Sequence, residues 1–264
     1  MRLNRIVSIL LAAVLLVSSL TSCSRTPEEL IARAEDTLTK KAYVVEVDID
    51  YHVADSTVAG IFEQLERSET TLYFKDGLFK SVNEQTIDDG EDVYHFFYEY
   101  VLADGVLYCV TTYSVDGYDN DTQKGKSQID DGEAASFIGA QMIIGDVSED
   151  DFKGATLVKK GSDVYLSCQN VSDEMYIALE KALVSQMEGV SKSVKATSAK
   201  MSVELDGKRY DTITVECTFD VVISDKTYSV GMTVELEFEY DERFEIEAPK
   251  DPSTYNLVEL EELI

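Results

Sequence analysis

Residues 210–240, YDTITVECTFDVVISDKTYSVGMTVELEFEY, decide the fold because apolar and polar side chains alternate along them. The alternation runs from Ile213 to Ile223 and resumes from Tyr228 to Tyr240. A period of two predicts two β-strands, 210–223 and 227–240, each with one apolar and one polar face. Long antiparallel strands that are apolar on one face only favour a strongly curved sheet, or half-barrel.

The same pattern predicts further strands upstream. Residues 44–53, VVEVDIDYHV, alternate in the same way and form a strand with one polar side. Asp-Gly dipeptides suit the left-handed backbone of a tight hairpin turn, and three of them lie between alternating segments. The predicted hairpins join 61–75 to 78–84 at Asp76-Gly77, 93–102 to 106–113 at Asp104-Gly105, and 196–205 to 209–223 at Asp206-Gly207.

Three segments have helical rather than strand periodicity. Thr26, Pro27 and Glu29 form a helix start, with an N-cap, a proline at the first position and a capping glutamate. Residues 134–144 are largely apolar, and 172–188 carry apolar residues at helical spacing after the cap candidates Ser172 and Asp173. The sequence therefore predicts an α+β fold, in which an N-terminal helix and two further helices cover the concave face of the sheet.

The first 23 residues have a charge and hydropathy pattern distinct from the rest of the chain. Arg2 and Arg5 precede an uncharged apolar run, 6–20, which at about 1.5 Å per residue is too short for a bilayer core of about 30 Å. Such a segment is typical of an export signal. It ends Leu20-Thr21-Ser22-Cys23, which resembles the lipobox of bacterial lipoproteins, where the cysteine is lipidated and becomes the new N-terminus.

This resemblance implies three parts of the chain. A lipoprotein signal peptide covers 1–22, a lipidated Cys23 and short tether cover 23–26, and a single α+β domain covers 27–264 with an inserted loop and helix region at about 114–190. Two acyl chains make a stable anchor, so the protein is expected at the cell membrane, on the extracytoplasmic side. The alternative is a secreted protein whose cysteine at the cleavage site is incidental.

Charge excludes several classes of partner. The 264 residues carry 51 Asp plus Glu against 23 Lys plus Arg, a formal charge of −28. A polyanion cannot neutralise phosphates, so we expect no nucleic-acid partner and no electrostatic adhesion to anionic lipid. Hydrophobic residues make up 44% of the chain, which is the apolar share of a folded protein.

Catalytic signatures are sparse, so we expect no enzyme, no catalytic residue and no cofactor. The two histidines, His52 and His95, lie in predicted strands, and the sequence lacks Gly-x-Ser-x-Gly, His-Glu-x-x-His and phosphate-binding glycine motifs. Cys109, Cys168 and Cys217 are too far apart in sequence for a zinc motif. The alternation places Cys217 in the core as a small apolar residue.

The acidic segment 114–133 is predicted to be a solvated loop. It contains Asp116, Asp119 and Asp121, followed by Asp130 and Asp131. Calcium prefers carboxylate oxygens, but the EF-hand template fails because Lys124 and Asp130 would replace its required Gly and Glu. We therefore predict no metal site, with weak calcium binding as the alternative.

The aromatic run 93–102, VYHFFYEYVL, is partly apolar on both faces, so we expect a central strand covered on both sides. Its aromatic residues either form a cross-strand ladder or line a wall of a hydrophobic ligand cavity. The sequence leaves both interpretations open.

The predicted arrangement resembles the bacterial lipoprotein-carrier superfamily, the LolA/LolB/LppX-like proteins. The matching parts are the helix after Thr26, the strand 44–53, the Asp-Gly hairpins, the strands at 210–240 and the closing stretch 244–249 with Tyr255. This resemblance implies that acyl chains bind between a half-barrel and its helices, with 134–144 as a lid. The implied lining residues are Val47, Ile49, Val215, Phe219, Val234, Leu236 and Phe238.

Two functions follow from these expectations. The first is a membrane-anchored lipoprotein that binds or handles lipid in a half-barrel cavity. The second is a structural or protein-interaction lipoprotein of the envelope, whose apolar faces form a closed core without a small-molecule ligand.

Overall fold

A computed structural model describes residues 25–65, 68–88, 90, 92–116, 118, 120–144, 149–152, 154–161, 163–187 and 189–263. Within these residues the chain forms four α-helices and twelve β-strands. The helices are α1 (Pro27–Leu38), α2 (Ser56–Leu65), α3 (Asp131–Gln141) and α4 (Asp173–Gln186). The strands are β1 (Tyr43–Val53), β2 (Ser68–Lys75), β3 (Leu78–Asp88), β4 (Val93–Ala103), β5 (Val106–Val115), β6 (Asp121–Gln128), β7 (Thr156–Lys160), β8 (Asp163–Cys168), β9 (Ser193–Asp206), β10 (Arg209–Ile223), β11 (Lys226–Glu239) and β12 (Asn256–Leu257).

All twelve strands belong to one open sheet. Its order is β12-β6-β5-β4-β3-β2-β1-β11-β10-β9-β8-β7, and every pairing is antiparallel except the parallel contact of β12 with β6. Strands β1 to β6 follow one another as neighbours, and so do β7 to β11. The pairing of β1 with β11 joins the two halves. These features confirm the predicted α+β class and its large antiparallel sheet.

Capping side chains fix three helix starts. The Thr26 hydroxyl accepts a hydrogen bond from the Glu29 N–H at 3.3 Å, and the Ser172 hydroxyl accepts one from the Met175 N–H at 3.2 Å. Asp130 and Glu133 cap each other's backbone N–H groups, at 2.9 and 2.8 Å. Each pair satisfies amide donors that the first helical turn leaves free. The cap predicted at Thr26 is confirmed, and Ser172 is the cap of α4.

The first two predicted hairpin turns adopt the expected left-handed backbone. Asp76 and Gly77 have φ values of 54° and 78°, and Asp104 and Gly105 have 51° and 72°. A two-residue turn with positive φ at both positions matches the twist of the strands that it joins. The turns therefore set the register of β2 with β3 and of β4 with β5.

The prediction of a strand over 61–75 is wrong in its first part. Residues 56–65 form α2, which packs on β1, and the strand begins only at Ser68. Val58 and Phe62 are buried at a spacing of four residues, which is the apolar stripe of a helix. The apolar face of the sheet is consequently covered by α1 and three further helices rather than two.

The acidic segment is also more ordered than predicted. Residues 121–128 form β6, which pairs with β5 along its whole length and borders β12. Asp130 caps α3, and Asp116 contacts His95. Downstream, β7 and β8 form a hairpin that the sequence pattern did not indicate.

The hydrophobic core lies between one face of the sheet and the helices. We call this side of the sheet the apolar face and the opposite side the polar face. Helix α1 packs on β10, α2 on β1 and α4 on β9. The helices contribute buried residues to this core, among them Ile31, Phe62, Phe137 and Leu179.

Candidate functional site

The seven residues predicted to line a ligand cavity lie together on the apolar face. In the β-ladder, Val47 is paired with Leu236, Ile49 with Val234, and Val234 also with Val215. Six of the seven are buried, with at most 8% of their surface exposed, and Ile49 is half-buried. Of the seven, Ile49 is therefore the residue nearest to solvent.

Helical side chains cover this part of the apolar face. Leu30, Ile31 and Ala34 of α1 are buried in the same core cluster as the predicted lining residues. The Tyr51 hydroxyl donates a hydrogen bond to the Gln186 side chain, and its ring packs on Phe62 at a centroid distance of 5.4 Å. Around β1, β10 and β11 the core is thus filled by the protein's own side chains.

Helix α3 covers the apolar face over β3 and β4, where the sequence predicted a lid. The ring of Phe137 packs edge-on against Phe79 and Tyr100, at centroid distances of 6.0 and 5.2 Å. The Ser81 hydroxyl donates a hydrogen bond to the Gln141 side chain at 2.9 Å. The helix spans 131–141 rather than the predicted 134–144, and Phe137 is its buried residue.

Beyond α3 the aromatic side chains of β4 and β5 continue along the apolar face with partial exposure. By strand alternation Tyr94, Phe96 and Tyr98 share the face of Tyr100. The Tyr113 ring contacts Phe96 at 5.2 Å and Tyr94 at 6.3 Å between centroids, and 37% of Tyr113 is exposed. We call Tyr94, Phe96, Tyr98 and Tyr113 the aromatic ledge.

The aromatic ledge is continuous with the predicted lining residues through the strand register. Val47 pairs with Thr70, Thr70 with Asn83, and Asn83 with Tyr98, so one row crosses four strands. The Asn83 amide donates hydrogen bonds to Thr70 at 2.6 Å and to Ser68 at 3.1 Å. The face thus changes from aliphatic core to half-exposed aromatic and polar surface within this row.

On the polar face, the closing segment, residues 241–263, covers β2 to β6. Phe244 packs on Tyr73 at 5.5 Å, and Tyr255 packs on Tyr108 at 5.3 Å between ring centroids. Lys75 donates hydrogen bonds to the backbone oxygens of Glu242 at 3.0 Å and Phe244 at 2.7 Å. At this end β4 is covered on both sides, as predicted, and Val101 on its polar face is only 6% exposed.

The three cysteines of the described residues are buried free thiols. Cys217 is 4% exposed, which confirms its predicted place in the core. Burial, and to a smaller extent the charge of Glu180, raise the pKa of the Cys217 thiol to about 12. Burial, followed by the charge of Asp151, raises the pKa of Cys168 to about 11. Their thiols are therefore protonated at neutral pH.

The two histidines lie on different parts of the sheet. His95 contacts Thr86 at 3.3 Å and Asp116 at 3.1 Å, while His52 is solvent-exposed on the polar face of β1. Among the residues that the structure describes, no cluster of three or more His, Cys, Asp or Glu side chains could hold a metal ion. Cys23 and the predicted signal peptide lie outside the described residues, and none of the described helices could span a bilayer.

Sequence reasoning missed parts of the ledge that come from neighbouring strands. Tyr113 and Asn83 join it only through the pairing of β3, β4 and β5. The alternation of each strand could have placed them on the apolar face, because cross-strand partners share a face. The sequence pattern does not show where α3 ends and where the aromatic side chains of β4 and β5 become exposed to solvent.

Comparisons with known proteins find only distant likenesses. No family model matches the chain, and no curated protein matches it. One similar solved structure concerns dehydratase substrate selection for the borrelidin and fluvirucin polyketide synthases, with 12% identity, 74% of this chain and 90% of that chain covered, and a TM-score of 0.15. Another is a bifunctional dehydratase-cyclase domain in ambruticin biosynthesis, with 12% identity, 80% of each chain covered and a TM-score of 0.17. A third is a dehydratase domain from the CurK module of curacin polyketide synthase. It is 9% identical, the match covers 83% of this chain and 84% of that chain, and the TM-score is 0.15. TM-scores this low carry no argument about fold or activity.

Proposed function

We propose that the protein is an extracytoplasmic lipoprotein, anchored through Cys23, that binds acyl chains on the apolar face of its sheet. In this proposal the sheet is the curved half-barrel of the lipoprotein-carrier superfamily, and its apolar face is concave. The observation that supports it best is the aromatic ledge, where apolar side chains leave the helix-covered core and become half-exposed. An acyl chain lying there would remove aromatic surface from water, which is favourable.

Helix α3 borders the proposed site and limits its depth. Phe137 fills the space next to Tyr100, so an acyl chain reaches the predicted lining residues only if α3 shifts. Val47 lies in the same strand row as Tyr98 but is only 2% exposed, whereas Ile49 is half-buried and is the most accessible of those residues. Tyr98, whose pKa is raised chiefly by burial, can donate a hydrogen bond to a carboxyl or ester oxygen.

Native mass spectrometry of the full chain, purified from membranes, tests the binding. Covalent acyl groups persist under denaturing conditions, so a mass difference between native and denaturing spectra reports lipid held without a covalent bond. Phe96→Ser should lose that mass difference, whereas the control Phe97→Ser should keep it, because residue 97 lies on the polar face of the same strand. Equal loss in both variants, or retention in both, would contradict a site at the ledge.

Membrane fractionation tests the anchor separately. The Cys23→Ala variant should leave the membrane fraction while its circular dichroism spectrum and melting temperature stay unchanged. Persistence of this variant in the membrane fraction would contradict the lipidation of Cys23.

A second function has its own support. Six of the seven predicted lining residues are at most 8% exposed, so the apolar face can serve as an ordinary core. The protein would then act as a structural or protein-interaction lipoprotein of the envelope, without a small-molecule ligand. A native mass equal to the denatured mass, together with no uptake of a fluorescent acyl probe, would favour this function.

A further inference from the structure

A polar cleft lies on the polar face of the sheet, opposite the helices. Its cavity volume of about 410 Å³ falls within the range of roughly 300–1,000 Å³ that is usual for small-molecule sites. Four adjacent strands and the residue after β8 contribute to its lining. The side chains on the polar face are His52 of β1, Gly231 and Thr233 of β11, Glu216 and Thr218 of β10, and Ser198 and Lys200 of β9, with Gln169 at the border.

The cleft exists because Gly231 interrupts a row of side chains. In the ladder, Gly231 lies between His52 of β1 and Thr218 of β10. A Cβ atom at position 231 would lie 3.3 Å from the His52 Cβ, so a larger residue would crowd the imidazole. A glycine inside a strand often marks a place where a ligand or another backbone approaches closely.

A β-bulge lies beside the glycine. The pairing of β9 with β10 shifts between Thr218 and Phe219, and the Thr197 hydroxyl donates a hydrogen bond to the Thr218 backbone oxygen at 3.0 Å. Bulges bend a strand locally and are frequent next to binding sites. Ala199, Cys217 and Met232 also border the cleft, although their side chains point to the apolar face, so they offer it backbone atoms.

The chemistry of the lining is polar and locally neutral. Lys200 and Glu216 form an ion pair at 2.8 Å, so their opposite charges offset each other beside the cleft. The other polar side chains are hydroxyl, amide and imidazole groups, each of which can both donate and accept a hydrogen bond. A saccharide hydroxyl has the same dual capacity.

We propose that this cleft binds a neutral, polyhydroxylated ligand, namely a short saccharide. From His52 to Ser198 the site spans three inter-strand spacings, about 14 Å, which suits an oligosaccharide better than a single ring. An anionic ligand would be repelled by the net charge of −28 and by Asp50, which neighbours His52 on the same face. An apolar ligand would leave the polar lining without hydrogen bonds. No Phe, Tyr or Trp side chain of the described residues lines the cleft to stack on a sugar ring, so we expect weak binding, in the millimolar range.

Saturation-transfer difference NMR on the full chain, in a detergent without a sugar headgroup, tests the proposal. Cellotetraose and N-acetylchitotetraose are the neutral probes, and hydrogen exchange with mass spectrometry locates the contact. We expect saturable transfer to at least one probe and slower exchange in β10 and β11. Saturation with neither probe up to its solubility limit, or protection confined to the aromatic ledge, would overturn the proposal.

Paired variants assign any binding to the cleft. Thr218→Ala should weaken binding by about three- to tenfold, the effect of one lost hydrogen bond. The control Thr214→Ala, on the same face of β10 but outside the cleft, should bind as the parent does. Gly231→Thr should abolish binding by filling the cleft, and unchanged affinity in a folded Gly231→Thr protein would contradict the site. Tighter binding of the anionic probe glucose 6-phosphate than of either neutral probe would also overturn it.

Discussion

Leu263 occupies the space in front of Gly125. A Cβ atom added at Gly125 would lie only 2.5 Å from the Leu263 Cδ2 atom. The Leu263 backbone oxygen also accepts a hydrogen bond from the Tyr100 hydroxyl at 3.1 Å. The closing segment therefore crosses the polar face, pairs through β12 with the edge of the sheet, and returns to the apolar face at Leu263.

Gly125→Ala should loosen this contact. The Leu263 side chain must move to admit the new methyl group, and because its end is flexible, we expect a local effect rather than global unfolding. Amides of residues 256–263 should exchange faster by hydrogen-exchange mass spectrometry. Tyr100→Phe, which removes the hydrogen bond but keeps the ring, should give the same pattern, and unchanged exchange in both variants would refute this role of Leu263.

Gly60→Ala should raise the free energy of unfolding. Gly60 lies in the interior of α2 and is exposed, and a Cβ atom added there would have no neighbouring atom within 4 Å, so alanine meets no obstacle. Alanine in a helix interior is favoured over glycine by about 0.5–1 kcal/mol. Urea unfolding should show a higher midpoint with an unchanged slope; a lower midpoint would mean that α2 is strained by the substitution.

Phe137→Ala should be the most destabilising of these substitutions. Phe137 is 5% exposed and packs on both Phe79 and Tyr100. Truncating a buried phenylalanine typically lowers the free energy of unfolding by about 3–5 kcal/mol. Chemical denaturation measures this loss, and Ser136→Ala on the exposed side of α3 serves as the control, with a change expected within about 0.5 kcal/mol.

Thiol labelling should distinguish the core cysteines from Cys23. Burial raises the pKa values of Cys109, Cys168 and Cys217, so none should react with a disulfide reagent at pH 8 in the native protein. All three should react after unfolding in urea. One fast-reacting thiol in the native full chain would identify an unmodified Cys23, and the variant Asn170→Cys, at an exposed position, provides the positive control.

Asp211 should make stability depend on pH. The Asp211 side chain is exposed, yet desolvation by neighbouring atoms, followed by the charges of Glu204, Asp206, Asp163 and Glu237, raises the pKa of its carboxyl. A folded-state pKa above the unfolded one means that the ionised carboxylate opposes folding, and this penalty is relieved as pH falls through the folded pKa. Asp211→Asn should therefore raise the melting temperature at pH 7.

The gain from Asp211→Asn should shrink as the pH falls through the raised folded-state pKa of Asp211 and vanish below the ordinary pKa of an aspartate, because the carboxyl is then neutral in both the folded and the unfolded protein. Asp220→Asn, which changes another exposed aspartate of the same strand, is the matched control. A gain that stays constant from pH 7 to pH 3 would show that charge is not its cause.

Much of the sheet can be predicted from the sequence, because alternation of apolar and polar residues over many positions is typical only of a β-strand with one buried face. The strands β10 and β11 match the predicted 210–223 and 227–240 to within one residue at each end. The strand prediction failed at α2, where Val58, Phe62 and Leu65 have helical spacing. In so short an apolar segment, helical and strand periodicity are hard to tell apart. The prediction also failed at β6, DTQKGKSQ, whose residues have little strand preference and are held by pairing with β5.

Candidate sites depend on tertiary placement to different degrees. The predicted lining residues share one face because alternation requires it, but their burial depends on where α1, α2 and α4 pack. The polar cleft had one signal, Gly231 inside a strong strand pattern, yet its other groups meet only through the register of four strands. Such convergence requires knowing which strands are neighbours, which periodicity does not supply.

The pairing of β1 with β11 has a consequence for the order of folding. Val47 meets Leu236 across almost two hundred intervening residues, so the contact that unites the two halves is of very high sequence separation. Loop-closure entropy makes such topologies slow to form. A growing chain can complete the hairpins of β2 to β6 early, but β1 keeps an unpaired edge until β11 has been synthesised. Until then that edge is open to pairing with other chains.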